Sequence, residues 1–265
     1  MLRFSANLSF LFLERPFLER FAAAAACGFK GVEFHFPYAF ALDEVCDAAR
    51  CAGVEVVLFN FPAGDWAAGE RGIACLPERI AEFRAGVAEA ARYAEGLACA
   101  RVNCLAGLRP AGGAGAGLRQ TLVDNLRFAA DVFAEHGREV LMEPLNSRDT
   151  PGFFVDRTVP ALDLLAEAER PNLLLQYDIY HAQVMEGDLA RTLASHLRRI
   201  GHIQLADNPG RHEPGTGEIN FPFLFRHLDA IGYTGWIGCE YVPCGRSEDS
   251  FGWLTAMQRD DKETM

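Results

Sequence analysis

Eight short apolar runs alternate along this chain with longer stretches of helical period, and no other feature restricts the possible folds as much. Runs rich in Val, Ile, Leu and Phe occupy residues 2–7, 31–34, 55–59, 101–104, 140–143, 173–178, 200–205 and 235–240, with the length and composition of buried strands. Between them, residues 16–26, 42–52, 78–94, 118–135, 159–169, 188–198 and 222–231 place apolar side chains at helical spacing. Gly28, Gly53, Gly137 and Gly232 follow four of these segments, where a left-handed C-cap favours glycine. Helical crossovers between consecutive strands imply a parallel sheet.

An open doubly wound sheet alternates in the same way, but it usually carries a GxGxxG turn after its first strand. Here the corresponding stretch, Ser5-Ala6-Asn7-Leu8-Ser9, has no glycine. The expectation is therefore an α/β fold, a single-domain (β/α)8 TIM barrel. The 265 residues, half of them hydrophobic, match the size of one such barrel. We expect the barrel over residues 1–258 and a charged, solvated tail over 259–265, and we read the Gly/Ala-rich residues 110–117 as a mobile loop.

With 25 Lys plus Arg against 36 Asp plus Glu, the net charge is −11, which excludes a basic footprint for a phosphate backbone. Nucleic acid and acidic membranes are not expected partners. The first apolar run, residues 8–13, meets Glu14 and Arg15 at once and makes a poor signal peptide, so the expectation is a cytoplasmic protein. Eight cysteines in a long, core-rich chain read as reduced, mostly buried thiols. The pairs 46/51, 99/104 and 239/244 form no CxxC, and zinc is not expected. Oligomeric state is not readable from this pattern.

A barrel places its chemistry at the C-terminal ends of its strands, on the side chains that alternate inward. Four late strands close on oxygen-bearing residues: Glu143, Gln176 with Asp178, His202 with Gln204, and Glu240. Alternation turns these inward and sends Leu175, Tyr177, Ile203 and Leu205 toward the helices. Three carboxylates in one small volume need a proton or a cation in compensation. An all-oxygen ligand set suits Mg2+ first and Mn2+ second. The candidate ligands are Glu143, Asp178, Gln204 and Glu240; the competing reading for each alone is a helix cap or a pair with arginine. His181, three residues past Asp178, can reach the same mouth. The long polar loop after strand seven carries Arg211, and the Trp66-containing loop after strand three carries Arg71; each is a candidate clamp for a substrate carboxylate. Ser5, Asn7, Glu33, His35 and Asn103 also have inward parity, but they are scattered and receive no role.

Five runs then carry a resemblance: NFPAGDWAAGERG at 60–72, DIYH at 178–181, HIQLADN at 202–208, HEPGTGEIN at 212–220 and GCEY at 238–241. Together they resemble hydroxypyruvate isomerases of the xylose isomerase-like barrel superfamily, and the likeness runs from Arg3 to Trp253. The resemblance implies interconversion of hydroxypyruvate and tartronate semialdehyde, or of a four-carbon 2-oxo-tetronate, so the expected partner is a small keto-acid. The superfamily's metal shell of Glu, Asp, His and Glu falls on Glu143, Asp178, Gln204 and Glu240, with Gln204 the departure from imidazole. Its substrate-contacting histidine and arginine fall on His181 and Arg211. Moving a carbonyl by one carbon needs one group to take a proton and another to return it, and Glu143 and Glu240 are the expected catalytic pair, in either order. Three rivals remain open: a ketose epimerase using the same glutamates, a metal-dependent endonuclease, and a non-catalytic binding barrel.

Overall fold

In the computed structural model, which describes residues 2–110 and 117–254, eight parallel strands close into one barrel in sequence order, β1 pairing with both β2 and β8. The strands are β1 (Arg3–Asn7), β2 (Gly31–Glu33), β3 (Glu55–Asn60), β4 (Arg101–Cys104), β5 (Glu139–Met142), β6 (Leu173–Asp178), β7 (Ile200–Leu205) and β8 (Trp236–Cys239). Most of the expected loop at 110–117 and the whole expected tail at 259–265 lie outside the described residues. No helix among the described residues is long and apolar enough to cross a membrane.

The connecting helices are α1 (Phe17–Ala26), α2 (Leu42–Ala52), α3 (Ile80–Gly96), α4 (Leu118–Ala134), α5 (Thr158–Ala168), α6 (Ile179–Met185), α7 (Leu189–His196) and α8 (Phe221–Ala230). Seven match the helical-period segments to within a few residues, as frayed ends allow. The eighth, α6, was not legible: it starts directly on β6, with Asp178 as its N-cap accepting the Tyr180 N–H at 2.7 Å. One residue thus ends a strand and begins a helix, with no intervening turn signal. Gly53 closes α2 with φ 67°, a left-handed turn that strains other residues.

The core has two parts. Outward-facing Val140, Met142, Leu175, Tyr177, Ile203 and Leu205 are buried with the helix faces in one large cluster. Leu141, Leu174 and Trp236, each two positions before an inward polar residue or Gly238, gather in a smaller cluster with Val57 and Leu58. By alternation this second cluster plugs the barrel's lower end, which leaves the polar layers above it facing the mouth. The thiols are all free, but only Cys75, Cys99, Cys104 and Cys239 are buried, so "mostly buried" overstates it. The others sit on outer helices or loops, where a small side chain needs no partner.

Candidate active site

Glu143 and Glu240 stand one residue beyond β5 and β8, where the strand hands over to the loop and the side chain still points inward. Oxygens of Glu143, Asp178 and Glu240 and a ring nitrogen of His181 all lie within 4.8 Å of one another, and all four residues are buried. Three carboxylates at that spacing cannot all hold full charge without compensation. The environment separates them. Burial, then the charges of Glu240 and Asp178, push the Glu143 carboxyl well above its ordinary range. Burial likewise raises Asp178, to about 7, against the pull of Arg211. Glu240 goes the other way: burial opposes its charge, but Arg211, His35 and His181 outweigh it and hold the group at about 2. One carboxyl pushed up beside another held down is the division of labour that an acid/base pair needs.

The hydrogen bonds explain the difference. Glu240 Oε1 accepts from Asn7 Nδ2 at 3.0 Å, His35 Nε2 at 2.9 Å and, more weakly, Gln204 Nε2 at 3.4 Å, while Oε2 is ion-paired to Arg211. Glu143 has one donor, Asn103 Nδ2 at 3.0 Å on Oε2. Its Oε1 and Asp178 Oδ2 are buried without a hydrogen-bond partner. Two orphaned carboxylate oxygens facing one volume fit a hard cation.

His181 sits in α6 rather than in a loop. The backbone N–H of Asn146 donates to its Nδ1 at 3.1 Å, and the Asn146 side-chain N–H2 lies 2.6 Å from the same atom. A backbone N–H can only donate, so Nδ1 is the bare nitrogen and the ring carries its proton on Nε2. Burial, with Arg211 nearby, holds the ring neutral, down to about 3. Nε2–H points toward Asp178 Oδ2 at 3.6 Å and Glu143 Oε1 at 4.0 Å, as a donor rather than a metal ligand. Gln204 also turns a donor inward: its Nε2 faces Glu33 and Glu240, while its Oε1 takes the Gln176 N–H2 at 2.6 Å. The all-oxygen set that fits an ion here is therefore Glu143, Asp178 and Glu240.

Arg211 reaches the centre from the loop between β7 and α8. Its guanidinium lies 3.7 Å from Asp178 Oδ2, pairs with Glu240, and packs over Phe10 and Tyr180. Arg71 does not reach the carboxylates. It donates to the carbonyls of Glu70 and Trp66 in its own loop and lies over the Trp66 ring at 4.0 Å. Trp66 in turn packs against His35, which touches Glu240. Asn7, His35 and Asn103, given no role by inward parity alone, all contact a candidate catalytic glutamate. Parity was their only signal; what they touch across the barrel is not periodic in sequence.

A closed parallel barrel with carboxylates of perturbed, unlike proton affinity buried at its C-terminal mouth is the architecture of a barrel enzyme. The chain belongs to the xylose isomerase-like TIM barrel family, whose model matches residues 21–257. Among its relatives, hydroxypyruvate isomerase of Escherichia coli (strain K12) is 51% identical over 96% of this chain and 98% of its own length. A 2-oxo-tetronate isomerase of Cupriavidus necator is 48% identical over 96% of this chain and 98% of its own. A Brucella melitensis structure described as an AP endonuclease of family 2 superposes with TM-score 0.94 at 46% identity, covering 97% of this chain and 99% of that one.

Proposed function

We propose that this protein is a hydroxypyruvate isomerase, interconverting hydroxypyruvate and 2-hydroxy-3-oxopropanoate by proton transfer between two glutamates. The observation that carries the reading is the gathering of Glu143, Asp178, Glu240 and His181 in one small buried volume, where the Glu143 carboxyl is pushed up and the Glu240 carboxyl is held down. In the direction from hydroxypyruvate, Glu240 takes a proton from C3, and the electrons of that C–H bond move into a cis-enediolate. Glu143 then returns a proton to C2, and the hydroxyl proton passes from O3 to O2, leaving the aldehyde at C3 and the hydroxyl at C2. The reverse reaction exchanges the two roles. Acid/base action of this kind is worth roughly 10² to 10⁴-fold.

Neutral His181 supplies an Nε2–H to an enediolate oxygen, and Arg211 is the group of matching shape and charge for the substrate carboxylate. Arg71 is a lesser candidate for that anion, through movement of its loop. A divalent ion, Mg2+ before Mn2+, held by Glu143, Asp178 and Glu240, would add positive charge where the enediolate develops its own. Trp66, from the loop after β3, and Phe10, from the loop after β1, would supply apolar walls beside His35 and Arg211 at the mouth.

The four-carbon alternative draws on the Cupriavidus necator relative, and the same residues serve it. An endonuclease finds less support: the net charge of −11 leaves no basic footprint for a phosphate backbone. The test is a panel of hydroxypyruvate, 2-oxo-tetronates and ketohexoses, with and without Mg2+ after chelation, on the wild type, Glu143→Gln and Glu240→Gln. Each variant should lose nearly all turnover while remaining folded. Retention of more than about a tenth of the activity by either removes that glutamate from the mechanism.

A further inference from the structure

Beneath the reacting groups lies another buried carboxylate, Glu33, that the proposed reaction does not use. It ends β2 with no exposed surface and gathers four polar partners from β1 and β7. Oε2 accepts from Ser5 Oγ at 2.8 Å and lies 2.8 Å from His202 Nε2. Oε1 accepts from Asn7 Nδ2 at 3.0 Å and Gln204 Nε2 at 2.8 Å. The same two amide nitrogens are the ones that reach up to Glu240 Oε1, at 3.0 and 3.4 Å.

We propose that Glu33 is a positioning residue for Glu240: its carboxylate fixes the amides of Asn7 and Gln204 with their N–H2 groups toward the barrel axis, so that both also donate to Glu240. The inference rests on the isomerase reading above. A terminal amide has two N–H bonds, and here each amide divides them between the two carboxylates. The opposite ends of the amides agree. Asn7 Oδ1 accepts the Ser9 backbone N–H at 3.0 Å, and Gln204 Oε1 takes the Gln176 amide, so neither group can turn over without losing a bond on both sides. With an acceptor beneath them, the amides must present hydrogen; with a donor there, one of the two restraints on each amide is lost, and an amide that turns presents oxygen to Glu240 and repels it.

The strand opposite is shaped to admit this carboxylate. A Cβ on Gly238 would fall 2.2 and 2.3 Å from the two Glu33 oxygens, so β8 passes over Glu33 only because that position has no side chain. Gly238 is two residues before Glu240, so the strand that carries the base also makes room for its support.

The experiment compares Glu33→Gln with the wild type. The substituted amide offers one acceptor oxygen where the carboxylate offered two, and it places an N–H2 against donors. We expect kcat to fall on the order of 10²-fold, the usual cost of a lost preorganised donor. KM should stay within about twofold, because Glu33 lies below the substrate volume. In an Asn7→Ala/Gln204→Ala background, where the amides are gone, adding Glu33→Gln should cost less than about twofold more in kcat. The side-chain N–H2 signals of Asn7 and Gln204 in ¹⁵N NMR should shift in Glu33→Gln without substrate present. If Glu33→Gln does not fold, Gly238→Ala displaces the same carboxylate and should reproduce the loss of kcat. The proposal is overturned if kcat stays within about threefold of wild type, if the loss falls on KM, or if the loss is undiminished in the amide-free background. Wild-type protein that turns over none of the panel defeats the isomerase reading instead, and the NMR comparison still decides whether Glu33 orients the amides.

Discussion

Replacing Arg211 with methionine removes the guanidinium standing between Asp178 and Glu240 while keeping an apolar stem against Phe10 and Tyr180. Glu240 is held at about 2 instead of its usual 4.5, burial notwithstanding, and Arg211 is the largest of the groups that hold it there. At about 1.4 kcal/mol for each tenfold in proton affinity, that depression stabilises the folded state by at most about 3 kcal/mol. A carboxylate lowered on folding contributes fully above its unfolded value and loses the contribution as pH falls toward its folded value. Arg211→Met should therefore be less stable than wild type by up to about 3 kcal/mol at neutral pH, with the gap narrowing below about pH 4.5 and gone near about pH 2. For a barrel of 265 residues this is about 5 °C in Tm at neutral pH. The assay is differential scanning calorimetry of both proteins across pH, with and without Mg2+. With the internal cation gone, Mg2+ should stabilise the variant more than the wild type; a hundredfold excess over the variant's Kd contributes about 2.7 kcal/mol to the variant. Equal melting at neutral pH, or a gap that widens on acidification, would refute the electrostatic reasoning.

Asp207 is fully buried and its carboxylate accepts four backbone N–H groups, from Asn208, Gly215, Gly217 and Ile219, which closes the loop that delivers Arg211. Asp207→Ala should lower kcat/KM about as much as loss of Arg211 itself and speed tryptic cleavage after Arg211; an intact loop on the gel would speak against the clamp. His181 should appear in ¹⁵N NMR near neutral pH as a neutral ring protonated on Nε2, because burial holds it at about 3; an imidazolium signature there would contradict the assignment. Phe133 packs edge-on against Phe61 at 5.3 Å with 1% exposure, so Phe133→Ala should cost about 3–5 kcal/mol in urea unfolding. A cost below about 1 kcal/mol would mean that the space beneath α4 collapses.

Much of this protein is legible in its residue order. Apolar runs of strand length and the helical period between them are local properties, and so is the two-residue alternation that turns Glu143, Asp178, Gln204 and Glu240 inward. These sufficed for the barrel and for the carboxylate centre. What a side chain meets across the barrel depends instead on closure and register, which join residues far apart in the chain. Asn7 and His35 reach Glu240 across 233 and 205 residues, and Glu33 meets His202 across 169. Only the tertiary structure could decide that Gln204 offers hydrogen rather than oxygen, because Gln176 and Glu33 fix its amide from neighbouring strands. Only it could push the proton affinity of one glutamate up and hold that of the other down. Their local sequences end in the same residue type, and the difference lies in Arg211, delivered by a loop whose path no periodicity encodes.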